Sequence, residues 1–162
     1  KVSYYSPAKI SQLLDIVEPY KIFNKSDGGI FLSSIIKHKD LVLLKKCSDL
    51  GFSYSKLLIE KCIKYQFYPG LKYSLENHAP YSFKDIRKCC NNDWIDGFKL
   101  LLNSYPLQDT KIKKIAMCII SNNANRCFEY VWKKYRSLHK FSSELLTFAK
   151  IYSNMKIGLI GS

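Results

Sequence analysis

Arginine is scarce in this chain. Arg87, Arg126 and Arg136 are the three present, and every other cationic side chain except histidine is lysine. Guanidinium groups are favoured for bidentate contact with phosphates and base edges, so the shortage weighs against base-specific reading of nucleic acid. Acidic residues are also few, 13 against 26 basic ones, and no pair is placed for acid–base work. Asp93 and Asp96 flank Trp94, and Asp93 is expected to cap the helix that follows. The three histidines, His38, His78 and His139, lie far apart. No C-x-x-C pair or paired-histidine spacing suggests zinc. The glycine-rich phosphate loops G-x-x-x-x-G-K-[ST] and G-x-G-x-x-G are absent. So are the hydrolase and protease signatures G-x-S-x-G and H-E-x-x-H. No catalysis and no cofactor are therefore expected. No apolar run approaches the roughly 20 residues of a membrane span, and no signal-type apolar core follows Lys1 to Pro7. Membrane insertion is not expected.

What is present describes a folded chain. The 162 residues are 47% hydrophobic and 24% charged, which excludes intrinsic disorder. A domain of this length buries roughly two-thirds of the surface its unfolded chain exposes. The net charge is +13. Such a balance suits nucleic acid, an acidic membrane surface or an acidic protein partner. A chain rich in Lys, Asn, Ile and Tyr is also what an AT-rich genome encodes, with the lysines on solvated faces. The six cysteines, Cys47, Cys62, Cys89, Cys90, Cys118 and Cys127, each sit inside an apolar helical pattern. Free cysteine there behaves as a small hydrophobe, and a reducing compartment, cytoplasm or nucleus, follows. A reactive thiol at Cys89 or Cys90 is the alternative. No nearby histidine or oxyanion signature supports it.

Runs with a period near 3.6 dominate, separated by short Gly, Pro, Ser and Asn punctuation. Ser11 is expected to cap a first helix through Leu13, Leu14, Ile16 and Val17 that ends at Pro19. Asn24 to Gly29 reads as a loop. Helices then come in pairs. With Leu41, Tyr68, Ile95, Asn125 and Met155 as the starts of second helices, the steps are 27, 27, 30 and 30. Nine positions earlier stand Leu32, Ile59, Ile86, Ala116 and Leu146. Six earlier stand Ile35, Cys62, Cys89, Ile119 and Ala149. Three later stand Leu44, Leu71, Phe98, Phe128 and Gly158. Four later stand Lys45, Lys72, Lys99 and Glu129. A shared offset of apolar columns, with loops in register, predicts repeated helical hairpins. The first helices are expected over 30–37, 56–64, 83–91, 111–121 and 142–151. The second are expected over 40–49, 68–77, 94–104, 124–136 and 154–160. One hairpin cannot bury its apolar side alone, so stacked neighbours share a core. Phe128 and Trp132 are expected to fill the wider gap in the longer fourth unit.

These units resemble degenerate ankyrin repeats. Residues 38–51, HKDLVLLKKCSDLG, are similar to the family's second helix with its closing glycine, Gly51. Residues 65–80 and 92–106 follow the same pattern, with His78 where the glycine would stand, and Tyr152 to Ile160 open a fifth copy. The T-P-L-H opening is absent, and the spacing is shorter than the family's period of about 33. A short or missing β-turn finger is implied. The expected fold is all-α: a solenoid of about five stacked hairpins behind an N-terminal helix. Residues 1–29 form the cap and loop. The array occupies 30–160, divided as 30–55, 56–82, 83–109, 110–140 and 141–160. A TPR- or HEAT-type solenoid is the alternative fold. The half-present last helix and the missing initial Met suggest a piece of a longer array.

The resemblance implies a protein–protein interaction module whose concave face meets its partner. Its variable recognition positions lie just before the turn inside each pair. Here they are Lys37 and His38, Lys64 and Tyr65, Asn91 and Asn92, Ser121 and Asn122, and Ile151 and Tyr152. Amide and ammonium groups donate hydrogen bonds and tyrosine adds rigid contact area, which suits an acidic partner surface. Truncated repeats of this style resemble those of large AT-rich DNA viruses, protists and intracellular bacteria, and imply a host-interaction role. A monomer is expected. Lys111, Lys113, Lys114, Lys133, Lys134 and Arg136 form a basic cluster that could grip polyphosphate. A lysine-rich helical solenoid that holds nucleic acid is the alternative function. Aromatic residues at the loops and turns, Phe52, Tyr54, Tyr81, Phe83, Phe67 and Trp94, are expected to include exposed contact groups.

Overall fold

The computed structural model describes residues 6–17, 25–50, 56–105, 109–135 and 150. Among these residues the chain is all-helical. The helices are α1 (Pro7–Val17), α2 (Lys25–His38), α3 (Leu41–Asp49), α4 (Lys56–Lys64), α5 (Tyr68–Glu76), α6 (Phe83–Asn91), α7 (Ile95–Asn103), α8 (Asp109–Ser121) and α9 (Asn125–Tyr135). The second helices start at the expected residues Leu41, Tyr68, Ile95 and Asn125. The expected fifth pair, with Leu146, Ala149, Met155 and Gly158, lies outside the described residues except Lys150.

Two features of the N-terminal reading are corrected. Ser11 lies inside α1. The cap is Ser6, whose Oγ accepts from the Lys9 N–H at 3.4 Å and whose carbonyl accepts from Ile10 at 3.0 Å. Pro7 takes the first helical position, where its missing N–H costs nothing. Pro19 lies outside the described residues. Residues 25–29, read as a loop, are helical. The pair Gly28-Gly29 resembles a breaker, but α2 packs against α1, α3 and α4, and such packing overrides a propensity cost of about 1 kcal/mol per glycine.

One turn joins each pair. Lys39, Gln66, Asp93 and Asn123 have φ of 57°, 50°, 43° and 51°. Each left-handed residue donates back to the carbonyl three residues before it: Lys39 to Ile36, Gln66 to Ile63, Asp93 to Cys90, Asn123 to Ile120. The residue after it donates five back: Asp40 to Ile35, Phe67 to Cys62, Trp94 to Cys89, Ala124 to Ile119. This is a Schellman closure. The carbonyl of that same residue then accepts the first bond of the next helix, from Leu44, Leu71, Phe98 and Phe128 respectively. The turns recur at the sequence steps of 27, 27 and 30. His78, at φ 60°, closes α5 in the same way, its N–H bonding Leu75 and that of Ala79 bonding Ser74. Asp93 is therefore the left-handed residue and not the cap. Trp94 holds the cap position without a side-chain bond.

Of the four, Asn123 and Asp93 are the residue types that tolerate this conformation, and Lys39 and Gln66 pay about 1–2 kcal/mol for it. Gln66→Gly is expected to raise stability by about 1 kcal/mol, net of the entropy glycine adds to the unfolded chain. Urea unfolding of the two proteins checks this.

The chain divides into two compact units, Lys1–Asp85 and Ile86–Ser162. In the first, α2 packs on α3 and α4 on α5 within hairpins. Across hairpins, α2 packs on α4 and α3 on α5. First helix therefore meets first helix and second meets second. α1 lies against α2 and α3, and Asp15 pairs with Lys46. In the second unit α8 packs on α9 and α7 on α9. The edge of Phe98 meets Tyr130 with ring centres 6.3 Å apart, and Phe128 stacks on Trp132 at 6.3 Å.

The apolar columns are the core. Leu32, at the head of the first column, is half-buried, and Ile59, Ile86 and Ala116, then Ile35, Cys62, Cys89 and Ile119, then Leu44, Leu71, Phe98 and Phe128 are all buried. The fourth column, Lys45, Lys72, Lys99 and Glu129, is exposed throughout. Phe67 and Trp94, expected at the surface, are buried. Each lies over a glycine three residues on, Gly70 or Gly97, on the buried side of the following helix. A Cβ on Gly70 would stand 2.5 Å from Phe67 Cε1, and one on Gly97 would stand 2.8 Å from Trp94 Cδ2. The first and fourth turns carry Asp40 with Leu43 and Ala124 with Cys127 instead. Where the turn residue is large its partner is glycine, and where it is smaller the partner has a side chain. Tyr81 and Phe83 are half-buried. Phe52 and Tyr54 lie outside the described residues.

Candidate functional site

The recurring turn fixes where the expected recognition residues stand. Lys37 and His38 end α2, Lys64 ends α4, Asn91 ends α6 and Ser121 ends α8. Tyr65, Asn92 and Asn122 follow, each bonding its N–H to the carbonyl four residues earlier. Each pair therefore leaves its helix at the same angle to the turn. All are exposed except Tyr65, which is half-buried with the Lys64 ammonium 5.5 Å from its ring centre. Ile151 and Tyr152 lie outside the described residues.

In the second unit two rungs of this ladder meet around one sulfur. Cys118 Sγ lies 3.6 Å from Asn91 Oδ1 on α6 and 3.7 Å from Asn122 Nδ2. The Asn122 amide donates to the Cys118 carbonyl at 2.8 Å and to Ser121 Oγ at 3.2 Å. Ser121 Oγ also donates to that carbonyl, at 3.1 Å. These bonds hold the Asn91 and Asn122 side chains in place before any partner arrives, which lowers the entropy lost on binding. Cys118 is drawn below the ordinary thiol range first by Cys90 and then by Arg87 and Asn122, against the opposing effect of burial. Burial pushes Cys47 up to about 11 and Cys62 up to about 12, so these two are inert core thiols. Sequence reasoning singled out Cys89 and Cys90 and passed over Cys118. Its surroundings come from α6 and α8, about thirty residues apart, and no local pattern signals them.

The outer lysines have partners within the chain. Lys45 lies 5.6 Å from the Tyr73 ring centre and Lys99 lies 5.4 Å from that of Tyr130. In both cases a lysine of one second helix rests on a tyrosine of the next second helix. Such contacts contribute about 0.5–1 kcal/mol at exposed sites. Lys72 approaches Glu76 at 3.9 Å. Within the expected basic cluster, Lys134 donates to Asn103 and lies against Tyr130 and Tyr135. Tyr130 donates to the same Asn103 oxygen at 2.8 Å. Lys114 and Lys133 are exposed. Lys111 and Lys113 lie on α8, and their side chains and Arg136 fall outside the description.

Among the described residues no group of His, Cys, Asp and Glu is arranged to hold a metal ion. No helix there is long and apolar enough to cross a membrane. Comparison with protein-family models, curated proteins and solved structures finds no match to the chain.

Proposed function

We propose that this chain is a non-catalytic protein-interaction module, a short-repeat solenoid of ankyrin type that binds its partner through the ladder at the ends of its first helices. The supporting observation is the recurrence of one backbone turn at four places, each presenting the two preceding residues. The rungs are Lys37 and His38, Lys64 and Tyr65, Asn91 and Asn92, and Ser121 and Asn122, with Tyr152 continuing the series. The ladder offers ammonium and amide donors and no carboxylate, so the partner surface is acidic or rich in carbonyl groups. The module acts as a monomer in the cytoplasm or nucleus of a host cell.

Nucleic-acid binding is the second reading, favoured by the +13 charge. Against it, two of the three lysines on the regular outer stripe rest on tyrosines of the same chain and the third faces Glu76.

Replacing Lys64, Tyr65, Asn91 and Asn92 together with alanine is expected to abolish capture of the partner from nuclease-treated host lysate. The helical signal should hold and stability should change little, as expected for surface positions. Loss of capture only through unfolding would contradict the site. Recovery that vanishes with nuclease, with affinity falling steeply in salt, would favour the nucleic-acid reading.

A further inference from the structure

The repeat supplies its own control for surface composition. The first two residues of the second helices are Leu41-Val42, Tyr68-Pro69, Ile95-Asp96 and Asn125-Arg126. Asp96, Asn125 and Arg126 are polar and exposed, so the fold accepts polar side chains at both places. In the first unit they are apolar and open to solvent. Val42 is 77% exposed and Tyr68 40%, and Pro69 is exposed beside them. Core packing does not account for these three.

They are neighbours. α3 packs on α5, and Lys45, the fifth residue of α3, rests on the ring of Tyr73, the sixth of α5. The two helices therefore run side by side in register, with their first turns at one end of the unit. The connections leading into them carry Lys37, His38, Lys39 and Lys64, all exposed. Within 37–42 and 64–69 the one carboxylate is that of Asp40, and its Oδ1 accepts from the Leu43 N–H at 3.0 Å. Contiguous apolar surface marks a contact site, and a border of one charge sign selects the opposite sign in what docks there. A second copy of the chain would bring its own charge of +13 against these cations, which argues for an acidic occupant.

We infer that the turn end of the first unit seats an acidic peptide segment of the partner that carries a large apolar side chain. The apolar group rests on Val42, Tyr68 and Pro69, and the carboxylates meet Lys39 and Lys64. This rests on the ladder as the binding face and names the chemistry that its first two rungs take.

The test selects binders to the immobilised chain from a phage-displayed library of random dodecapeptides. Selected peptides are expected to combine Asp or Glu with Leu, Phe or Trp. Three variants borrow residues that later hairpins already carry at the same places: Val42→Asp, Tyr68→Asn, and Lys39→Asn with Lys64→Asn, after Asp96, Asn125, Asn123 and Asn91. Circular dichroism checks that each folds. Each should weaken a selected peptide at least about tenfold, the loss expected when a hot-spot contact is removed. Two altered peptides need no variant of the chain. Exchanging Asp and Glu for Asn and Gln, or the apolar residues for Ser, should each weaken binding to the unaltered chain by a similar factor. A selection that yields no peptide, or only basic or uncharged ones, would overturn the inference. Binding that falls with the lysine pair and ignores Val42→Asp and Tyr68→Asn would keep the ladder and overturn the apolar seat. Binding that ignores all three variants would contradict the ladder in this unit as well. Sedimentation of the chain with phosphatidylserine vesicles, lost in Tyr68→Asn, would make the patch a membrane contact and overturn the peptide assignment.

Discussion

Gly70→Ala lowers stability by about 2 kcal/mol, although alanine is the better helix former by about 1 kcal/mol. The reason is the Phe67 ring. It is 2% exposed and lies against the bare Cα of Gly70, where a methyl group would stand 2.5 Å from Cε1. The ring cannot swing into solvent without giving up its burial, and overpacking of this kind costs about 1–3 kcal/mol. Gly97→Ala behaves alike against Trp94, which is 6% exposed. The diagnostic result is a change of sign. In a Phe67→Ala background, itself destabilised by about 3–5 kcal/mol, Gly70→Ala becomes stabilising, because only its helix propensity remains. A double-mutant cycle by urea unfolding measures the coupling. Equal effects of Gly70→Ala in both backgrounds would mean that the ring and the glycine are not a matched pair.

Alanine substitution along the repeat columns separates core from surface by several kcal/mol. Leu71→Ala and Phe98→Ala, at residues with 0% exposure, are each expected to cost about 3–5 kcal/mol. That is a large part of the 5–15 kcal/mol that holds a typical domain folded. One position further on, Lys72→Ala should stay within about 0.5 kcal/mol, since its ion pair with Glu76 is exposed on both sides. Lys99→Ala should cost up to about 1 kcal/mol through its contact with Tyr130. Neighbouring positions that differ this sharply, in the same order in each hairpin, are what a repeat requires. Thermal melts of the four variants would reveal it. Comparable losses at Leu71 and Lys72 would contradict the register.

Much of the helical frame is legible in the sequence because it rests on local signals. The apolar columns have a 3.6-residue period and a shared offset, and they locate the starts Leu41, Tyr68, Ile95 and Asn125. The misreadings fall where long-range packing or backbone geometry decides. Gly28-Gly29 is helical because α2 packs against its neighbours. Asp93 looked like a cap, yet it occupies the left-handed position, with its buried Oδ1 accepting no hydrogen bond. Phe67 and Trp94 read as surface aromatics because nothing local announces that Gly70 and Gly97 make room for them. One readable signal was passed over. Ser82-x-x-Asp85 opens α6 as a capping box, with Asp85 Oδ2 accepting from the Ser82 N–H and Oγ at 2.9 Å each. The surroundings of Cys118 were not readable, since they join helices about thirty residues apart in sequence.

The ladder is tested most directly by photocrosslinking. A benzophenone side chain placed in turn at Asn91, Asn122, Glu129 and Lys133, all exposed, samples the ends of α6 and α8 and the outer side of α9. The four proteins are irradiated in nuclease-treated host lysate and their adducts identified by mass spectrometry. The expected result is one protein joined to the chain from Asn91 and from Asn122, and none from Glu129 or Lys133. Adducts from Glu129 and Lys133 with none from the two asparagines would place binding on the opposite side and contradict the ladder.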